Sequence, residues 1–239
     1  GLTSSNPKGG AALPGMAESW SISDDGKTYT FIINKDARWS NGDKVTADDF
    51  VWSWNRVLTP SLGSQYTDML YYVEGAKDFY DGNIDDFSQV GVKAINDNTL
   101  EVVLNNPTPF FLGLLSHYST WPVHKDTFLK HGSIDDRNGE WTRPGNFVCN
   151  GPMQLKSWEL NNKIVVEKNP FYWDAQTVKL NEIHFYPVTN IMTEDRMFRA
   201  GQLHSTYTVP AQKCPVYIEE ENPNLSITPY MGTYFYRTN

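Results

Sequence analysis

The chain has few of the residues that usually mark a chemical site. Of its 239 residues only 2 are cysteine and 5 are histidine, and 20 Lys and Arg are outnumbered by 28 Asp and Glu, which gives a net charge of -8. This acidic balance argues against nucleic-acid binding, which needs clustered basic residues. Cys149 and Cys214 have two interpretations, a disulfide formed in an oxidising compartment or two small buried apolar side chains.

Metal-site and membrane signals are also missing. His117, His124 and His131 recur every seven residues, but Pro122 interrupts any helix that would align them, so we predict no metal site. No apolar run approaches the roughly 20 residues of a membrane-spanning helix. The sequence starts at Gly1 without a signal peptide, so we expect a processed or trimmed chain whose compartment must be inferred indirectly.

Catalytic motifs are absent as well. The sequence has no Gly-x-Ser-x-Gly, no phosphate-binding glycine loop and no His-Glu-x-x-His. Adjacent aspartates occur four times, but neighbouring side chains point apart on a strand and about 100° apart on a helix, so they do not form a two-carboxylate site. All four pairs stand in turn or helix-start contexts, where Asp caps backbone N–H groups. We therefore predict that the protein is not an enzyme and has no cofactor.

What is present is an alternation of short strands and helices, which predicts a mixed α/β fold. Three turn-forming dipeptides between apolar runs predict hairpins, namely Asp25-Gly26, Asp97-Asn98 and Asn161-Asn162. Helices are expected at residues 46–58 and 192–200. Further strands are expected at residues 206–209 and 225–230, and residues 233–237 alternate like a strand.

Residues 37–50 are the most informative segment. Asn41-Gly42 supplies a tight turn without strain, and Thr46 and Asp49 have the spacing of a capping box, with Asp in place of the usual Glu. The apolar positions that follow have helical spacing: Phe50, Val51, Trp54, Val57 and Leu58. Taken alone, the segment predicts only a strand, a turn and a helix.

The same segment resembles the signature of the family 5 extracellular solute-binding proteins, the peptide and nickel receptors that feed ABC importers. Residues 169–173, Asn-Pro-Phe-Tyr-Trp, are similar to the Asn-Pro-x-Tyr-Trp of that family. Two matches about 130 residues apart, in the right order, are far less expected by chance than either alone. Within the family, residues 150–152, 169–173 and 229–239 most resemble the periplasmic oligopeptide receptors.

The resemblance implies an α/β fold of the periplasmic-binding-protein type II, in the subclass of large receptors with an extra domain. Such receptors have two lobes joined by hinge strands, and they enclose the ligand between the lobes. Residues 1–124 would form the extra domain, and residues 125–239 would form part of lobe I and end at the hinge strand. The second lobe would be missing, so we expect a fragment of about half a receptor.

The resemblance also implies which residues contact the ligand. The matching positions are Tyr66 and His117 on the extra domain, Tyr207 and Thr208 on a strand that pairs with the peptide backbone, and Tyr230, Phe235 and Arg237 on the path to the hinge. Arg237 stands where the oligopeptide receptors place a glutamate, and this charge reversal leaves the ligand preference open.

Each of these residues also has a purely structural interpretation. Tyr66 could cap a surface helix, His117 could be a core histidine with satisfied hydrogen bonds, Tyr207 and Thr208 could be ordinary strand residues, and Arg237 could simply be solvated. Tryptophans 39, 52, 54 and 173 are predicted to lie in the core.

The expected function is the substrate-binding component of an ABC peptide importer, located in the periplasm or otherwise outside the cytoplasm, either free or tethered by lipid. Its partners would be an oligopeptide and the importer's membrane subunits, with no nucleic acid and no membrane insertion by this chain. An oligosaccharide receptor of the same family is the main alternative, and Trp121 and Trp141 would then face the cleft. A haem or nickel-chelate receptor is a further alternative and would need an exposed His117 or His204.

Overall fold

A computed structural model describes residues 1–137, 139–228, 232 and 235–236. The chain divides into two compact units, unit 1 at Gly1–Phe185 and unit 2 at Tyr186–Asn239. The strands are β1 Thr3–Ser4, β2 Leu13–Pro14, β3 Ala17–Ile22, β4 Thr28–Ile33, β5 Val92–Asn96, β6 Thr99–Val103, β7 Met153–Glu159, β8 Lys163–Lys168 and β9 Glu182–Phe185. The α-helices are α1 Ala47–Leu58, α2 Ala76–Tyr80, α3 Phe111–Leu114, α4 Lys125–His131, α5 Ile191–Arg199 and α6 Cys214–Glu219.

The main sheet of unit 1 is antiparallel, with the order β3-β4-β6-β5. Its hairpins turn at Asp25-Gly26 and at Asp97-Asn98, as predicted. In β4 alternate residues are buried, because successive side chains of a strand point to opposite faces. Tyr29 and Phe31 therefore enter the core, where Tyr29 meets Phe111 edge to face at 5.1 Å.

Helix α1 covers this core, and its predicted capping box is formed. Asp49 Oδ2 accepts hydrogen bonds from the backbone N–H of Thr46 at 2.8 Å and from Trp39 Nε1 at 3.3 Å. The buried face of α1 includes Phe50 and Trp54, and Trp54 Nε1 donates to the carbonyl of Thr120 at 2.9 Å. Local capping and apolar spacing therefore predicted this helix correctly.

The predicted burial of the tryptophans is confirmed for Trp39, Trp52 and Trp54 and is wrong for Trp173. Trp173 is 37% exposed and packs on its neighbour Tyr172 at 5.5 Å. It follows β8 in a turn region rather than on a regular element, so no apolar periodicity fixed which way it would face.

The two motifs that carry the family resemblance contact each other. Phe171 lies beside the turn, with its Cε1 atom 3.6 Å from the point where a β carbon of Gly42 would stand. Asn169 is fully buried, and its side chain donates to the Gly151 carbonyl at 2.8 Å and accepts from the backbone N–H of Phe171 at 3.0 Å. The Asn-Pro-Phe-Tyr-Trp segment thus joins the 37–50 turn to the second sheet of unit 1, which has the order β7-β8-β9.

His124 ties α4 to the same turn. Its Nδ1 accepts the backbone N–H of Thr127 at 3.2 Å and so caps α4, while Nε2 lies 3.1 Å from Asp43 Oδ2. The imidazole also meets Trp39 edge to face at 5.2 Å. Sequence reasoning considered His124 only as a metal ligand, and the structure gives it a structural role.

Unit 2 contains α5 and α6. Buried Asp195 of α5 accepts from Lys213 Nζ at 2.7 Å and from the Tyr217 hydroxyl at 2.6 Å. The strand predicted at residues 206–209 is wrong, since these residues have no ladder partner in the described part of the chain. Residues 225–228 are likewise not a strand, and residues 229–230, 233–234 and 237 of the other predictions lie outside the described residues.

Three further observations concern the cysteines, membrane-spanning helices and metal-ligating side chains. Cys149 and Cys214 are free thiols. In the part of the chain that the structure describes, no helix is long and apolar enough to cross a membrane, and no cluster of three or more metal-ligating side chains occurs.

Unit 1 extends across the boundary predicted at residue 124, and the assignment of 1–124 to an extra domain and 125–239 to lobe I stays a prediction.

Candidate functional site

Two of the predicted ligand-contact residues in unit 1 lie side by side. The ring centroids of Tyr66 and His117 are 5.0 Å apart. Tyr66 directly precedes the 3₁₀ turn Thr67–Leu70, and His117 directly precedes the 3₁₀ turn Tyr118–Thr120. The fold therefore brings together two residues that are distant in sequence, on a surface where Tyr66 is 39% exposed and His117 is half-buried.

The hydrogen bonds of His117 indicate which ring nitrogen carries the proton when the imidazole is neutral. Nδ1 accepts the backbone N–H of Ser119 at 3.3 Å and lies 2.8 Å from the Ser119 hydroxyl. A neutral imidazole with Nδ1 acting as acceptor carries its proton on Nε2. None of the described residues accepts a hydrogen bond from Nε2, so this N–H can donate to a ligand.

A third ring, Tyr118, completes this group, which we call the aromatic corner (Tyr66, His117 and Tyr118). Tyr118 is 57% exposed, with its ring centroid 4.2 Å from His117 and 5.6 Å from Tyr66. The neighbouring Tyr66 phenol is the main cause that raises the pKa of the Tyr118 phenol. Sequence reasoning missed Tyr118, although it directly follows His117, because its contact with Tyr66 depends on the fold.

Two of the predicted contact residues of unit 2 line a cleft of about 710 Å³. Tyr207 and Thr208 form part of its wall together with His204 and Asp195. Tyr207 is 98% exposed, and its backbone N–H donates to Glu194 Oε1 at 2.7 Å. This bond holds the segment against α5 and leaves the phenol ring free to meet a ligand.

A polar cluster contributes Asp195 and Tyr217 to the lining of this cleft. The hydrogen bonds from Lys213 and Tyr217 lower the pKa of Asp195, which keeps this carboxylate ionised. The pKa of Tyr217 is raised mainly by its hydrogen bond to Asp195. With both carboxylate oxygens occupied, Asp195 is a structural anchor for α6 rather than a free acceptor for a ligand.

The last three predicted site residues lie at the end of the chain. Phe235 is exposed, and Tyr230 and Arg237 lie outside the described residues. The structure thus joins Tyr66 with His117 in unit 1 and Tyr207 with Thr208 in unit 2, and the ligand role of all seven residues stays a prediction.

Comparisons with known proteins define the class to which this chain belongs. The chain belongs to the bacterial extracellular solute-binding proteins of family 5, whose middle-region model matches residues 11–239.

Among characterised relatives, the chain is 38% identical over 233 residues to the periplasmic oligopeptide-binding protein OppA of Escherichia coli K12, which covers 96% of this chain and 41% of the relative. It is 39% identical over 247 residues to the oligopeptide-binding protein OppA of Bacillus subtilis 168, which covers 100% of this chain and 43% of the relative. The chain therefore spans about two fifths of the length of these relatives, in agreement with the expectation of part of a larger receptor.

A solved structure with the same fold is Haemophilus influenzae OppA in complex with the peptide RPPGFSPFR. It matches with a TM-score of 0.85 and 35% identity, over 93% of this chain and 42% of that chain. This likeness confirms the predicted mixed α/β fold of the type II periplasmic binding proteins.

Proposed function

We propose that this chain is part of the substrate-binding component of an ABC peptide importer, and that the intact receptor captures oligopeptides between two lobes. The observation that carries the proposal is the similarity, over almost the whole chain, to proteins named for oligopeptide binding. The role is one of binding and delivery rather than catalysis. Its partners would be the peptide and the importer's membrane subunits, on the outer side of the cytoplasmic membrane.

The chemistry of the exposed groups suits an extended peptide. Such a ligand offers backbone N–H and C=O groups that a tolerant receptor can pair, while hydrated pockets accept varied side chains. His117 Nε2–H can donate to a peptide carbonyl. At the exposed segment the Tyr207 N–H is already bonded to Glu194, so the Thr208 backbone is the part that could pair with a strand-like ligand. Enclosure between lobes would strengthen these hydrogen bonds by removing water.

The chain by itself should bind peptide weakly. A receptor that closes around its ligand divides the contacts between two lobes, so one half offers only part of them, while the entropic cost of association remains. We therefore expect the 239-residue chain to retain peptide more weakly than the full-length protein from which it derives.

An oligosaccharide ligand is the alternative, and one observation favours it. Trp121 is 48% exposed, and its Nε1 donates to the Ser116 carbonyl at 3.2 Å, which fixes an indole face that could stack on a sugar. The second tryptophan of that hypothesis is less suitable, because Trp141 is half-buried and packs between Phe128 and Phe147.

Native mass spectrometry with a pool of short peptides and a pool of oligosaccharides tests the two ligand classes, first on this chain and then on the full-length protein. The peptide proposal predicts retained peptide masses that decrease in His117→Ala and persist in Trp121→Leu. The sugar alternative predicts retained sugars and the opposite response of the two variants. If the full-length protein retains no peptide from the pool, the proposed function is wrong.

A further inference from the structure

The rings of the aromatic corner differ from several other aromatic rings of unit 1 in what covers their faces. The Arg56 guanidinium carbon lies 4.4 Å from the centroid of the Phe128 ring, and the Arg143 guanidinium carbon lies 5.6 Å from that of the Trp158 ring. Lys77 Nζ is similarly placed 5.6 Å from the centroid of Tyr71. Among the described residues, no Lys or Arg lies over Tyr66, His117 or Tyr118, so the exposed faces of the corner carry no cation of the protein itself.

The charge of the two segments that carry the corner favours a cation, and Arg137, which lies beside Gly63, is engaged with the Ser61 carbonyl at 3.3 Å. The segments that carry the corner, residues 64–73 and 115–124, contain no Lys or Arg, and the first contains Asp68. The chain as a whole has a net charge of -8. A cation over the face of an aromatic ring is attracted by the ring quadrupole, and a planar guanidinium both stacks on the ring and directs its N–H groups outward to other acceptors.

The geometry also makes the corner rigid enough to select a ligand. Tyr118 packs on His117 with an angle of 32° between the rings and meets Tyr66 edge to face at 80°. His117 is in turn fixed by its bonds to Ser119. Because the three rings already hold one another in place, they lose little conformational freedom when a ligand binds. The entropic cost of binding is therefore small, and a weak contact can give measurable affinity.

We propose that Tyr118 is a specificity residue and that the aromatic corner receives an arginine side chain of the bound peptide. This inference rests on the proposed function, because it supposes that the corner faces the peptide. It adds a preferred side chain and a contact residue that sequence reasoning did not assign.

The test is an NMR titration of the 239-residue chain, which detects binding too weak for other methods. The probes are the peptide RPPGFSPFR, the same peptide with both arginines replaced by citrulline, and the acetylated amides of arginine and of citrulline. Citrulline has nearly the shape of arginine but no charge. Shifts of the ring signals of the corner report contact, and titration curves give the affinity.

The expected result is that arginine probes shift the ring signals of the corner and bind about two- to fivefold more tightly than citrulline probes, as an exposed cation–π contact predicts. Tyr118→Leu should remove this preference, and Tyr118→Phe should keep most of it because the ring is retained. Tyr72→Leu is the matched control, since Tyr72 is another exposed tyrosine but pairs with Phe110. It should leave the preference unchanged.

Two outcomes separate this inference from the proposed function. If the peptide shifts signals elsewhere in the chain but arginine and citrulline forms bind equally and Tyr118→Leu has no effect, the arginine site is wrong while peptide binding stands. If arginine amide shifts the corner in a Tyr118-dependent way but neither this chain nor the full-length protein binds the peptide, the corner binds a guanidinium, but the proposed function is wrong and the peptide part of this inference is overturned with it. If no probe shifts the corner, the inference is overturned.

Discussion

The two compact units differ in what holds them together. Unit 1 has a large apolar core that includes Phe31, Phe50 and Trp54, each almost completely buried. Unit 2 buries only Asp195 and Pro210 among its described residues, and its central contacts are the hydrogen bonds of Asp195. Unit 1 is thus stabilised mainly by removal of apolar surface from water, whereas unit 2 depends on one polar cluster. The following predictions test this difference, from the largest effect to the smallest.

Trp54→Ala should have the largest effect. It removes a buried indole and its hydrogen bond to Thr120, so we expect a loss of about 3–5 kcal/mol in the free energy of unfolding of unit 1. Chemical denaturation followed by circular dichroism measures this loss. Trp173→Ala is the matched control, and its loss should be clearly smaller because Trp173 is exposed. Equal losses in the two variants would contradict the assignment of Trp54 to the core.

Asp195→Asn should act on unit 2. The change keeps the shape of the side chain but replaces the carboxylate oxygen that accepts from Lys213 with an amide donor or a weaker acceptor. Hydrogen bonds to charged groups contribute about 1.5–3 kcal/mol, and we expect a loss of this order in the opening free energy of α5 and α6. Hydrogen exchange of their amides measures it. The exposed Glu219→Gln in α6 is the control, and unchanged protection in Asp195→Asn would show that packing, not this cluster, holds unit 2.

Acid should change the stabilising contributions of Asp49 and Asp195 in opposite directions. Burial raises the pKa of Asp49 in unit 1, whereas hydrogen bonds lower the pKa of Asp195 in unit 2. The Asp195 contribution is therefore present above the unfolded pKa of about 3.9 and is lost as the pH falls through its lower folded value. The Asp49 contribution has the opposite sign, since it is fully present below the unfolded pKa and is lost as the pH rises through the folded value.

Hydrogen exchange followed as the pH is lowered from about 7 to about 2, through the unfolded pKa of about 3.9, measures both changes. We expect the amides of α5 and α6 to lose protection from exchange in acid. In Asp195→Asn this change of protection with pH should disappear. For α1 the comparison is between wild type and Asp49→Asn, which isolates the Asp49 contribution from other titrating groups. A shift of the same sign at both aspartates would refute the opposed pKa directions.

Thr46→Ala should have the smallest effect. It removes the hydroxyl of the helix-capping residue of α1 but leaves the backbone N–H of residue 46 bonded to Asp49. We expect unit 1 to lose about 1 kcal/mol, measured by the same denaturation experiment. Thr46→Ser keeps the hydroxyl and should retain most of the stability, so an equal loss in both variants would argue against the cap.

The parts of the fold that sequence predicted correctly are those with local signals. Asp25-Gly26 fixed a hairpin, and Thr46 with Asp49 fixed the start of α1, because turn and cap chemistry act within a few residues. The strand predicted at 206–209 was wrong because a strand requires a partner that its own sequence does not specify.

Local sequence signals also could not predict the contacts within the candidate site. No local pattern connects Tyr66 with His117, and their joint assignment came only from the resemblance to a family. Tyr118 had no such counterpart and was missed, although it contacts both of them. The pairing of His124 with Asp43 was missed for the same reason, since the two residues meet only after the chain has folded.

The contact between the two family motifs has a consequence for the timing of biosynthesis. The turn at Ser40 and Gly42 is held by Cys149 and Phe171, with the backbone N–H of Ser40 donating to the Cys149 carbonyl at 2.7 Å. At a synthesis rate of about 5–20 residues per second, the roughly 130 residues between Gly42 and Phe171 take roughly 6 to 26 s to emerge from the ribosome. During that interval the hairpins and α1 can already form. The turn within residues 37–50 still lacks its contacts with Cys149 and Phe171, so it remains accessible to chaperones and proteases.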